Sequence, residues 1–106
     1  MRVVSGSTSG EISTDTVFEF EQTEDVFSAR YVGGQIIDGY LIGRLQHGYQ
    51  GTFRYVQADS SGNLDSGVSS VTLIRLPDGR LRMVENFQWL TRDASGTNVL
   101  EEIEQQ

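Results

Sequence analysis

Alternating apolar and polar side chains are the main pattern in this chain. In residues 17–22, Phe18 and Phe20 share one face, whereas Glu19 and Glu21 share the other. A period of two residues is typical of an extended strand, because successive side chains of a strand point to opposite sides. The segment therefore predicts a β-strand with one buried face and one solvated face. The same alternation recurs in most later segments.

Eight such strands can be read from the pattern. They cover about residues 2–5, 11–22, 26–32, 35–45, 52–58, 64–76, 81–90 and 97–103. The clearest turn between them is Pro77-Asp78-Gly79, where proline presets φ and glycine accepts a left-handed backbone. No stretch of more than about two helical turns has the 3.6-residue period of a helix. The pattern predicts an all-β fold.

The short turns also predict how the strands are arranged. Strands joined by turns this short pair as antiparallel neighbours, which makes a meander. An open meander exposes two long edges, whereas closure removes both, and about eight strands make a barrel that is filled by side chains or holds one small ligand. We expect residues 1–106 to form a single closed antiparallel up-and-down barrel of the lipocalin or streptavidin kind. The strand near Val99 should then pair with residues 2–5 or with their neighbour.

Glycines inside the predicted strands add local detail. Gly39 and Gly43 interrupt an otherwise apolar strand, and Gly67 lies near the start of a long one. Glycine within a strand marks a bend or the close approach of another group to the backbone. We expect such features at Gly39 and Gly43, and Gly67 would permit a β-bulge that bends its strand.

Composition narrows the classes of function. The 106 residues suit one domain, and 15 acidic against 8 basic residues give a net charge of -7. We therefore expect neither a nucleic-acid nor a membrane partner. The chain has no Cys and one His, which disfavours a metal centre, and we expect no cofactor. No apolar run approaches the about 18 residues of a membrane span and no signal peptide is seen, so a cytoplasmic location is expected.

Glu85 is the most informative single residue. It shares a predicted strand face with Met83, Phe87 and Trp89, and this apolar face should point inward. A carboxyl group there must be paired, hydrogen-bonded or protonated. One interpretation makes Glu85 a hydrogen-bond partner for a ligand or a general acid or base. The other makes it a structural buried residue, held by an Arg or Tyr from a neighbouring strand.

A ligand pocket at one end of the barrel is the leading functional hypothesis. Tyr31, Tyr55 and Gln57 alternate along their strands, and with Glu85 and Trp89 they would form an aromatic wall with a few polar groups, suited to a small, partly apolar ligand. One alternative is a small enzyme in which Glu85 transfers a proton. Another is a structural or oligomerising barrel with a solid interior. The sequence leaves the oligomeric state open.

The order of turns and strands also resembles a known family. The segments that carry the resemblance are residues 31–43, 62–67, 78–82, 85–89 and 96–103. They are similar to a family of small prokaryotic proteins that often carry the label N-acetylglutamate synthase, in collinear order over roughly residues 10–104. The resemblance implies a calycin-like barrel and carries no assigned active site. Tyr40 stands where many relatives have His, and Phe87 stands where Trp is common.

The label of that family names an acetyl transfer to glutamate. The usual acyltransferase fold needs a pyrophosphate cradle at a helix N-terminus, and a glutamate substrate needs cationic clamps for two carboxylates. The sequence has no helix-opening glycine loop. We therefore expect no such transfer by this chain.

Overall fold

The computed structural model describes residues 1–6 and 11–103 and contains eight strands. In chain order they are β1 (Arg2–Ser5), β2 (Val17–Thr23), β3 (Val26–Gly33), β4 (Ile36–Gln46), β5 (Gln50–Asp59), β6 (Leu64–Arg75), β7 (Leu81–Trp89) and β8 (Ser95–Glu101). Those residues form no helix. It follows that none of them belongs to a helix long and apolar enough to cross a membrane.

The eight strands form one closed barrel. Each strand pairs antiparallel with the next along the chain, and β8 returns to β1. Arg2 pairs with Glu101 and Ser5 pairs with Val99 across this closing seam. Closure satisfies the backbone groups that an open sheet would leave at its edges. The predicted all-β up-and-down barrel, including the pairing near Val99, is confirmed.

The core is built by alternate inward side chains from β2 to β8. On β7, for example, Met83, Phe87 and Trp89 are buried, whereas Asn86 and Gln88 are exposed. Leu41 on β4 and Leu100 on β8 are the most completely buried apolar side chains. Aromatic rings fill much of the remaining interior, so the barrel has a packed centre with room only near its ends.

The predicted second strand begins later than expected. Residues 11–16 form a bend and a turn, and β2 begins only at Val17, while residues 7–10 lie outside the described part of the chain. Thr16 is fully buried, and its hydroxyl donates a hydrogen bond to the Gly33 carbonyl. Its backbone N–H donates to Ser13 O. These local bonds replace a strand ladder, because hydroxyl side chains compete with the sheet for backbone partners.

Two inward glycines make room for tyrosine rings. Gly39 lies opposite Tyr31, and a Cβ at Gly39 would come within 2.3 Å of that ring. Gly67 lies opposite Tyr55, and a Cβ there would meet its hydroxyl at 2.2 Å. The bulge that Gly67 would permit does not form, since the ladder is regular on both sides of it. Because Gly67 has no side chain, the Tyr55 ring packs directly against its backbone.

The connections divide the barrel into two ends. One end carries the connections from β1 to β2, β3 to β4, β5 to β6 and β7 to β8, and we call it the Arg92 end after a residue in its last connection. The other end, which we call the terminal end, carries both described chain ends and the three remaining connections. Residues that are far apart in sequence can therefore be neighbours when their connections lie at the same end of the barrel.

Candidate functional site

A small cavity of about 30 Å³ lies inside the barrel toward the Arg92 end. Its lining comprises Glu11, Ile12, Phe18, Tyr31, Leu41, Phe53, Tyr55, Gln57, Glu85, Phe87, Trp89 and Asn98. All five residues predicted to line a pocket are among them. The volume has room for about two water molecules. The interior is nearly filled while residues 11 and 12 cover it.

Glu85 lies inside the barrel, with only 6% of its surface exposed. Ser69 Oγ on β6 donates a hydrogen bond to Glu85 Oε2 at 2.6 Å, and Asn98 Nδ2 on β8 donates to Oε1 at 3.3 Å. Both partners are neutral, and neither is an Arg or a Tyr, so the interpretation with an Arg or Tyr partner is wrong. Burial raises the pKa of Glu85, and the two hydrogen bonds oppose that shift. Desolvation without a cation therefore favours the protonated group.

Tyr31 and Gln57 form a second buried polar pair on the same cavity. Tyr31 Oη donates to Gln57 Oε1 at 2.9 Å. The Tyr31 ring stacks on Phe18 with a centroid separation of 4.5 Å, and burial raises the pKa of its hydroxyl. Tyr31 is thus a fixed neutral donor, held in place by a ring on one side and Gly39 on the other.

Tyr55 and Trp89 form an aromatic wall of the cavity. Their ring centroids are 5.7 Å apart in an edge-to-face arrangement. Gly67 pairs with Tyr55 on one side and with Trp89 on the other. Burial, followed by the charge of Glu85, raises the pKa of Tyr55. Both rings line the cavity, where a ligand would contact them.

A cluster of charged residues lies at the Arg92 end of the barrel, and one of them, Glu11, lines the cavity. Arg92 Nη2 contacts the carboxylates of Glu11 and Asp65 and lies 3.7 Å from Asp59 Oδ2. Its guanidinium carbon lies 4.6 Å from the centroid of the Trp89 ring, in a cation–π arrangement. We call these four residues, Glu11, Asp59, Asp65 and Arg92, the Arg92 cluster.

Sequence reasoning missed the Arg92 cluster. Its members come from three separate parts of the chain and carry no shared motif. The only local signal is position, since each lies in or beside a connection at the same end of the meander. Ser69 and Asn98 were also missed. Both alternate inward on strands that flank β7. Asn98 pairs directly with Glu85, whereas Ser69 lies diagonally across the ladder, opposite Phe87.

The carboxyl groups of the cluster differ in their surroundings. Asp59 accepts bonds from the Asn63 side chain and backbone and from Ser61 N, and these lower its pKa. The hydrogen bond from Arg92 lowers the pKa of Asp65. For Glu11, burial and the neighbouring Asp59 raise the pKa, although Arg92 opposes the shift. Glu11 is therefore the member of the cluster most inclined to hold a proton.

The three carboxylates also have the spacing of a metal site. One oxygen from each of Glu11, Asp59 and Asp65 lies within 4.8 Å of the others, and carboxylate oxygens are the ligands that Ca²⁺ and Mg²⁺ prefer. However, Arg92 Nη2 already contacts two of the three groups and lies near the third. The guanidinium supplies the positive charge at this point, so the geometry does not favour a metal ion.

The terminal end has a wider depression of about 380 Å³. Phe27 and Met83 are buried in its floor, while the polar side chains that line it, Glu21, Gln22 and Glu102, are exposed. Ligand sites combine an apolar wall with a few convergent polar groups. That combination occurs around Glu85, and we take the cavity at the Arg92 end as the candidate site.

Comparison with known proteins gives one match. The model of a family described as avidin-like protein matches residues 1–103. The curated proteins and the solved structures contain no match to this chain. The matched range extends over all eight strands and every residue that lines the cavity.

Proposed function

This chain belongs to the avidin-like family, and on that premise we propose that it is a binding module for a small, partly apolar ligand held over Glu85. The observation that carries the proposal is a buried carboxyl group with two neutral partners, facing a cavity walled by Tyr55 and Trp89. Burying such a group without a charged partner lowers the stability of the fold. A hydrogen bond to a ligand would give the buried carboxyl group of Glu85 a function.

The chemistry of the cavity indicates the kind of ligand. Because burial favours the protonated form of Glu85, its carboxyl group can both donate and accept a hydrogen bond. Gln57 and Asn98 add amide groups, and the rest of the lining is mostly aromatic or aliphatic. A neutral compact molecule with one amide-like group matches this lining better than an ion. Entry requires residues 11 and 12 to move outward, since the closed cavity is too small.

Binding can be tested with caprolactam, a neutral ring with a single amide. Trp89 is the only tryptophan in the chain and lines the cavity, so its fluorescence reports occupancy directly. We expect a saturable change in emission for the wild type and none for Glu85→Leu. Glu19→Leu, which alters an exposed acid on β2, should respond like the wild type. No saturable response in the wild type, or an equal response in Glu85→Leu, would refute the proposal.

The acetyl transfer named by the resembling family can be tested separately. Among the described residues there is no helix, and so no helix N-terminus at which the pyrophosphate of acetyl-CoA could be held. We expect that acetyl-CoA and glutamate release no more free CoA with the protein than without it. Saturable release in proportion to the amount of purified protein would favour an enzyme, and Glu85→Gln would then test Glu85 as its acid or base.

A further inference from the structure

The segment that covers the cavity contains a titratable residue, Glu11. We call residues 11–16 the covering segment, since Glu11 and Ile12 line the cavity from above. We propose that Glu11 is a proton-operated latch, which holds the covering segment closed while its carboxyl group is protonated and releases it on ionisation. The inference rests on the proposed function for its biological use, but its structural part is testable without a ligand.

Charge balance is the first argument for this latch. The side chains of Glu11, Asp59 and Asp65 are only 9%, 2% and 8% exposed. Three carboxylates against one guanidinium leave two negative charges unbalanced if every group is ionised. Like charges this close and poorly solvated repel strongly. One bound proton relieves part of that repulsion without any change in the fold.

The hydrogen bonds within the Arg92 cluster indicate which carboxyl group holds this proton. Asp59 already accepts three bonds, and Asp65 accepts bonds from Thr91 and Arg92. By contrast, Glu11 Oε2 is buried and has no hydrogen-bond partner. One carboxyl oxygen of Glu11 lies within 4.8 Å of a carboxyl oxygen of Asp59. A proton on Glu11 supplies the missing donor, and Asp59, Asp65 and Arg92 are the ionised groups that face it.

The anchoring of the covering segment limits what can move. Thr16 is fixed by its bond to the Gly33 carbonyl, and Ser13 N donates to Thr16 Oγ1. Glu11 lies beyond these bonds, with its contacts in the Arg92 cluster. When Glu11 ionises, Asp59 and Asp65 repel its carboxylate, and Arg92, which also contacts Asp65 and Trp89, can balance only one of the three negative charges. The segment then lifts at the Glu11 side, and the cavity opens as pH rises.

The closed form therefore binds a proton more tightly than the open form. Trp89 reports the difference, because Arg92 lies over its ring and the covering segment shields the same cavity. We expect quenching of Trp89 fluorescence by acrylamide to rise severalfold in one step between about pH 4 and pH 9. Measurements in a Glu85→Gln background exclude titration of Glu85 as the cause of the step.

Variants of Glu11 test whether its carboxyl group is the latch. Glu11→Gln keeps a donor toward Asp59 and cannot ionise, so we expect low quenching at every pH. Glu11→Ala removes the latch, so we expect high quenching at every pH. The matched control is Glu24→Gln, in the turn between β2 and β3 at the terminal end, which should titrate like the wild type.

Each outcome is informative. A step that persists in Glu11→Gln, or its absence from the wild type, overturns the latch. If caprolactam binds but no step is seen, the latch alone fails. If the step follows Glu11 but caprolactam does not bind, the latch stands and the proposed function fails.

Discussion

Glu85→Ala is expected to lower the free energy of unfolding by roughly 2 to 4 kcal/mol, whereas Glu85→Gln should cost only about 1 kcal/mol. Alanine leaves Ser69 Oγ without its acceptor at 2.6 Å and opens space beside Phe87. Glutamine keeps an acceptor for Ser69 and has nearly the same shape. Urea unfolding at neutral pH measures both values, with Glu19→Ala on the outer face as the control.

The two variants should also differ from the wild type in their pH dependence. Below the ordinary value of 4.5, Glu85 is protonated in the folded and the unfolded chain and adds no slope. Above it, the unfolded chain releases the proton first because burial raises the pKa in the fold. The stability of the wild type relative to Glu85→Gln should therefore fall as pH rises from 4.5 to the raised pKa of Glu85 in the fold. Equal stability of all three proteins at every pH would contradict the inward placement of Glu85.

Gly67→Ala is expected to destabilise the fold by about 3 kcal/mol, at the upper end of overpacking effects. The new Cβ would lie 2.2 Å from Tyr55 Oη and 2.6 Å from the backbone oxygen of Gln88. A backbone oxygen within a ladder cannot move aside, and the Tyr55 ring is flanked by Phe53 and Trp89. Caprolactam binding should weaken as well, because the aromatic wall is displaced.

A double-mutant cycle separates the Tyr55 contact from any other effect of the new methyl group. Gly67→Ala combined with Tyr55→Ala should cost less than the sum of the two single changes, since the ring is no longer present to be displaced. Ser66→Ala, the preceding position on β6, is the control and should change stability by less than about 0.5 kcal/mol. A strictly additive cycle would show that the ring does not rest on Gly67.

Local pattern was sufficient for much of the fold. The alternation of Met83, Glu85, Phe87 and Trp89 is a property of any extended strand, so the face of Glu85 could be predicted before its partners were known. Short turns imply antiparallel neighbours, and closure follows because open edges leave backbone groups unpaired. These inferences depend on nearest neighbours in the chain and on general properties of sheets.

Tertiary structure decided the features that depend on residues far apart in sequence. Gly67 has the local signature of a bulge, yet its role is set by Tyr55 across the ladder, on another strand. Glu11, Asp59, Asp65 and Arg92 meet only because three connections, from β1 to β2, β5 to β6 and β7 to β8, lie at one end of the closed barrel. The size of the cavity likewise depends on how rings from several strands share the interior. No local pattern contains these distances, because closure of the barrel creates them.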